Sequence, residues 1–166
     1  MTEGEASALG CICFESEELI MAIAETVLDA HDRISSDGAC FDPFSGASHA
    51  NRGVTLGKIA SIVNSSFGVL YGSRPDDRFD GNLFLQVSTF CEHLAKDHVF
   101  PDGNKRTALV ISLAMLYIKG VKVVVDDSSD STGNPVYRWI QDVVSGKRTV
   151  AELAVTLMGW SHLGRY

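Results

Sequence analysis

Basic residues are in short supply. Fourteen Lys and Arg stand against 21 Asp and Glu, giving a formal net charge of −7 and a pI near 5.1. So acidic a chain lacks the continuous basic face by which a general nucleic-acid or anionic-membrane binder recognises its partner, although a local anion site stays open to it. Long apolar runs are missing too. The longest, Ala108 to Ile118, is interrupted by Ser112 and is too short to cross a bilayer. Only four cysteines occur, Cys11, Cys13, Cys40 and Cys91. They have neither the density of a disulfide scaffold nor the spacing of a metal site, since Cys11-Ile-Cys13 leaves one residue where ligand pairs leave two or more. Glutamates precede any apolar run at the N-terminus, unlike a signal peptide. These absences lead to the expectation of a cytoplasmic protein with reduced thiols, no membrane partner and no direct nucleic-acid partner.

What is present is ordinary globular composition, 45% hydrophobic and 21% charged, in a chain long enough for one domain with a sizeable core. Residues 1–15 show no periodicity and are expected to form a flexible tail, with a single domain over 16–166. Ser16, followed by Glu17 and Glu18, caps a helix whose Ile20, Ile23, Ala24, Val27 and Leu28 recur at helical spacing. His31 falls on its apolar face, as a hydrogen-bonded structural histidine would. Residues 35–53 mix Ser, Asp, Gly and Pro and predict a long loop, after which Thr55 caps a helix to about Phe67. A second loop, 68–81, leads to a helix capped by Asp80 or Asn82 and ending near Asp97. A strongly apolar helix from about 104 to 119, closed by Gly120, is expected at the centre. Val121 to Val125 suggests a short extended segment or hairpin, and 126–133 a polar loop. Two final helices open at Pro135 and at the capping box Thr149-Val-Ala-Glu152. The pattern predicts an all-α bundle of about six helices.

Chemistry is concentrated in His98-Val99-Phe100-Pro101-Asp102-Gly103-Asn104-Lys105-Arg106-Thr107-Ala108. The first N–H groups of a helix lack partners and carry partial positive charge, so a turn at Gly103 and Asn104 makes an anion cradle that a phosphate can approach closely. Lys105 and Arg106 add cations at the helix end that disfavours them, a mismatch that a bound anion would relieve. Asp102 is suited to Mg²⁺, which takes one or two carboxylates together with phosphate oxygens. A histidine side chain exchanges protons near neutral pH, so His98 can accept one from an attacking hydroxyl. Each residue has a simpler role when taken singly: a cap, a turn, a solvated cation. Together they form a set suited to phosphoryl transfer.

At these residues the chain resembles the Fic/Doc superfamily, whose signature is His-x-Phe-x-Asp-Gly-Asn followed here by Lys-Arg-Thr-Ala. It is most similar to the Doc toxins of toxin–antitoxin modules. AMP-transferring Fic proteins carry glycine and arginine where this chain has Lys105 and Leu109. Lysine crowds the cradle, and loss of the arginine removes a bidentate phosphate clamp. The resemblance to Doc implies a kinase that moves the γ-phosphate of ATP, with Mg²⁺, to a hydroxyl of a protein target such as elongation factor Tu. It also implies His98 as general base, Asp102 as Mg²⁺ ligand, and Gly103, Asn104, Lys105 and Arg106 as the nucleotide-phosphate site. Fic proteins are commonly restrained by a helix bearing Ser/Thr-x-x-x-Glu-Gly/Asn. The only glutamate here followed by Gly or Asn is Glu3, so an antitoxin acting in trans is expected. By position alone, 68–81 would be the target-docking flap. Gly103, where a Doc toxin can have alanine, keeps AMP transfer as the alternative, and a non-catalytic regulatory module is a third reading.

Overall fold

The computed structural model describes residues 1–37, 49–125 and 135–164. Among them are eight helices and one two-stranded sheet: α1 (Glu3–Leu9), α2 (Glu17–Asp37), α3 (His49–Phe67), α4 (Pro75–Arg78), α5 (Leu83–Lys96), α6 (Asn104–Ile118), α7 (Pro135–Ser145) and α8 (Val150–Gly159), with β1 (Val121–Val123) and β2 (Ser161–Leu163). The fold is all-α apart from that ribbon. No helix among the described residues is long and apolar enough to cross a membrane.

Several helix starts follow directly from their capping residues. The Ser16 hydroxyl accepts from Leu19 N–H, Asn82 accepts from Leu85 N–H, and Thr149 and Glu152 form a reciprocal capping box. At Thr55 the capping expectation fails. Its hydroxyl donates to the Asn51 carbonyl four residues back, so Thr55 sits inside α3, which begins at His49. Eight of the 19 residues of the expected 35–53 loop, 35–37 and 49–53, are helix, and the other eleven, 38–48, lie outside the described residues, as does the expected 126–133 loop.

The N-terminal segment also differs from expectation. Thr2 and Glu5 cap α1 reciprocally, Ala6, Cys11 and Ile12 are buried, and Phe14 N–H donates to the Phe67 carbonyl. Gln86, fully buried on α5, holds this segment down: its amide accepts from Ile12 N–H and donates to the carbonyls of Ile12 and Ser66. A short polar stretch without periodicity is thus ordered by a partner distant in sequence, which no local pattern reveals.

At the centre lie α5 and α6, packed on each other. α5 buries Leu83, Phe84, Val87, Phe90, Cys91 and Leu94, while α6 buries Ala108, Ile111, Met115 and Leu116 and leaves Val110, Tyr117 and Ile118 exposed. The helix expected at the centre is thus one half of a central pair. Beyond α6, Gly120 takes a left-handed φ of 76° and the chain turns into β1. There Val121 pairs antiparallel with Leu163 and Val123 with Ser161, which supplies the strand partner the sequence left open. Buried Trp139 on α7 donates its indole N–H to the Leu153 carbonyl of α8, tying the last two helices together.

Candidate active site

Seven residues, 97–103, connect the end of α5 to the start of α6, with Asp97 as the C-cap of α5. Two of its residues take a left-handed φ, His98 at +46° just after the cap and Gly103 at +78° at the far end. Glycine adopts such a backbone freely, whereas histidine does so at a cost of about 1 kcal/mol or more. Neighbouring groups hold the conformation. Val99 and Phe100 are buried, and the Asn104 amide reaches back to accept from Phe100 N–H at 2.9 Å and to donate to the Phe100 carbonyl at 2.6 Å. From beneath, the buried imidazole of His31 stacks on the Phe100 ring, with centroids 3.7 Å apart and planes 6° from parallel. His31 Nε2 is 3.0 Å from the Asp102 carbonyl.

With that connection fixed, the end of α6 is open. Gly103 caps the helix without a side chain, and no acidic residue occupies the first turn. The first-turn N–H groups therefore have no side-chain acceptor from the cap, which leaves a concentration of donors at the positive end of the helix dipole. Lys105 and Arg106 are exposed beside it. The Asp102 carboxylate accepts from Gly103 N–H at 2.6 Å through Oδ1, and Asp102 is itself exposed.

These residues line a cleft of ≈ 610 Å³, of the size that takes a nucleotide-sized ligand. His98, Asp102, Gly103, Asn104, Lys105 and Arg106 form one side, so the structure brings all the sequence-predicted site residues together. The opposite wall is α7, with Val136, Tyr137, Ile140, Gln141 and Val144, joined by Leu109 of α6. Lys105 reaches across and donates through Nζ to Gln141 Oε1 at 3.3 Å. On the other side of His98 is a smaller groove of ≈ 260 Å³, lined by Asn51, Val54 and Thr55 of α3 and by residues 98–101. His98 is thus reachable from two directions.

The Asn104 side chain has a role of its own beside the expected cradle: its amide accepts from Phe100 N–H and donates to the Phe100 carbonyl, while its main-chain N–H belongs to the first turn of α6. The 68–81 segment does not lie where a target-docking flap was expected. It leads into the start of α5, whereas His98 follows the end of that helix, about 20 Å away at 1.5 Å per residue. Its charged residues serve elsewhere: Asp76 accepts from Cys11 N–H, Arg74 pairs with Glu15, and Arg78 donates to the carbonyls of Ser65 and Gly68. Two contributors were not placed at the site from the sequence. His31 gave a signal, a histidine on an apolar helix face. The α7 wall gave a weaker one in Val136, Ile140 and Val144, a stripe at four-residue spacing beside the core positions Trp139 and Val143.

Among the described residues no three His, Cys, Asp or Glu side chains gather to hold a metal. A lone carboxylate beside a phosphate cradle still fits Mg²⁺, an ion whose remaining ligands are water and phosphate oxygens. Comparison with curated proteins returned no match, and neither did comparison with solved structures. A family model, described as the Fic/DOC family, matches residues 15–116, which span α2 to most of α6 and include the whole loop from His98 to Gly103. The chain belongs to the Fic/DOC family.

Proposed function

We propose that this protein is a Doc-type kinase, which transfers the γ-phosphoryl group of ATP to a hydroxyl of a protein target, blocks growth, and is restrained by an antitoxin in trans. Membership of a family of enzymes that transfer nucleotide-derived groups to proteins supports the class of reaction. The observation that carries the choice of group is the pair Lys105 and Leu109. Lys105 spans the cleft to Gln141, and Leu109 presents a hydrocarbon surface where AMP-transferring proteins have a phosphate-clamping arginine. Such a cleft favours a nucleotide seated with its γ-phosphate, rather than its α-phosphate, at the reacting position.

In this reading the first turn of α6, Lys105 and Arg106 hold the phosphates, and the apolar wall of α7 takes the nucleoside. The target hydroxyl approaches from the groove beside α3, so that His98 stands between the two substrates. Its imidazole accepts the hydroxyl proton as the oxygen bonds to the γ-phosphorus; the bond from that phosphorus to the bridging oxygen breaks, and ADP leaves. Mg²⁺, held by Asp102, supplies charge neutralisation on the phosphates. A translation factor such as elongation factor Tu is the first target to try. Mass spectrometry of the factor after incubation with MgATP should find a phosphate on one hydroxyl, absent with His98→Ala. A nucleotide adduct would instead establish the second reading, AMP transfer, which the small, left-handed Gly103 at the cradle favours.

A further inference from the structure

We infer that His31 is the positioning residue of this site: its buried ring sets the 100–102 backbone and, through it, the place at which His98 meets the reacting phosphate. The inference rests on the reading of His98 as a base beside a bound nucleotide. Three observations converge on His31. Its side chain is 1% exposed and lies flat on Phe100, so the ring face is committed to that contact. Its edge addresses the Asp102 carbonyl at 3.0 Å; a carbonyl oxygen only accepts, so Nε2 carries the proton and donates. On the far side of the ring, Nδ1 is 3.5 Å from Asp32 Oδ1, and Asp32 Oδ2 is 3.5 Å from Arg52 of α3.

The loop needs such a restraint. A non-glycine residue persists at φ +46° only where its surroundings over-determine it, and His98 itself is exposed. Asn104 fastens Phe100 from the α6 side, and His31 holds the Asp102 carbonyl from α2. Asp32 and Arg52 extend the support to α3, the helix that lines the groove on the other side of His98. Removing the Nε2 donor frees the Asp102 backbone while Phe100 stays clasped, so the loop loses its register next to the base. A displacement of about 1 Å at a reacting group is worth roughly 100-fold in rate.

His31→Phe keeps an aromatic ring of similar volume against Phe100 and deletes the donor. His31→Gln gives up the stack but carries an N–H₂ group at a comparable reach. Both are made in the full chain, checked for cooperative thermal unfolding, and followed by NMR of the His98 ring and by MgATP-dependent labelling of the target. His31→Phe should stay folded, shift the His98 ring signals and lose about 100-fold in kcat, with a far smaller change in KM for MgATP; His31→Gln should recover most of that loss. A folded His31→Phe with unaltered His98 signals overturns the inference. So does a loss in His31→Gln as large as or larger than that in His31→Phe, because the donor that Gln restores would then not be what the loop needs. If the unaltered protein transfers no group from ATP, the proposed function fails, and the His98 signals still decide the role of His31. Where a variant does not fold, nitrogen NMR of the unaltered protein decides: a slowly exchanging proton on Nε2 of His31 is expected, and a proton on Nδ1 alone overturns it.

Discussion

Two side chains, Lys105 and Leu109, separate the proposed phosphoryl transfer from AMP transfer, and both line the same cleft. Replacing them together, Lys105→Gly with Leu109→Arg, should remove the crossing to Gln141 and introduce a bidentate clamp facing the phosphates. The product should then shift from phosphorylated toward AMP-bearing target, measured as the ratio of the two adducts by mass spectrometry. An unchanged ratio would show that these positions do not set the choice. His98→Ala should lower transfer by roughly 100- to 10,000-fold, the usual contribution of a general base, with little effect on melting temperature because the side chain is exposed. The thiols report on burial instead. Desolvation pushes Cys11 and Cys91 from the ordinary 9.0 to about 12, with Asp76 adding to the effect at Cys11. At neutral pH both should resist alkylation in the native protein and react once it is unfolded, as followed by peptide mass mapping.

Among the elements, those with local signals were legible in the sequence. Asn82, Thr149 and Pro135 mark the starts of α5, α8 and α7 because a cap or a proline acts on its own helix within one turn. The start of α3 was not legible: Gly53 and Gly57 weaken the local helix preference, and helix persists through them. The N-terminal segment was missed for a related reason, since what orders it is Gln86, 74 residues away. Gln86→Leu has nearly the same volume and tests that attachment. It strands Ile12 N–H and two carbonyls in the interior and should cost about 3 kcal/mol in urea unfolding. A cost near zero would mean that the segment contributes little to the fold. Of the candidate site, the cradle and its cations were readable because they are contiguous. His31 was readable as a buried, hydrogen-bonded histidine, but its place under the loop and the α7 wall were not, because the contacts that put them at the site exist only after folding.

Over the whole molecule, the central pair of helices carries the loop at one end and leaves two approaches to His98, a wide one walled by α7 and a narrow one beside α3. The high thiol pKa values bear on the stability of this assembly. Unfolded thiols ionise from about pH 9, whereas the native ones keep their protons to about 12, so the native state binds more protons in that window and stability falls as pH rises through it. Denaturant midpoints measured between pH 8 and 11 check the sign. The central claim concerns which phosphate reaches His98, and radiolabelled ATP tests it most directly. With candidate target, Mg²⁺ and this protein, ATP labelled at the γ-phosphate should label the target and ATP labelled at the α-phosphate should not, and His98→Ala should abolish the signal. Label from the α-phosphate alone would contradict phosphoryl transfer.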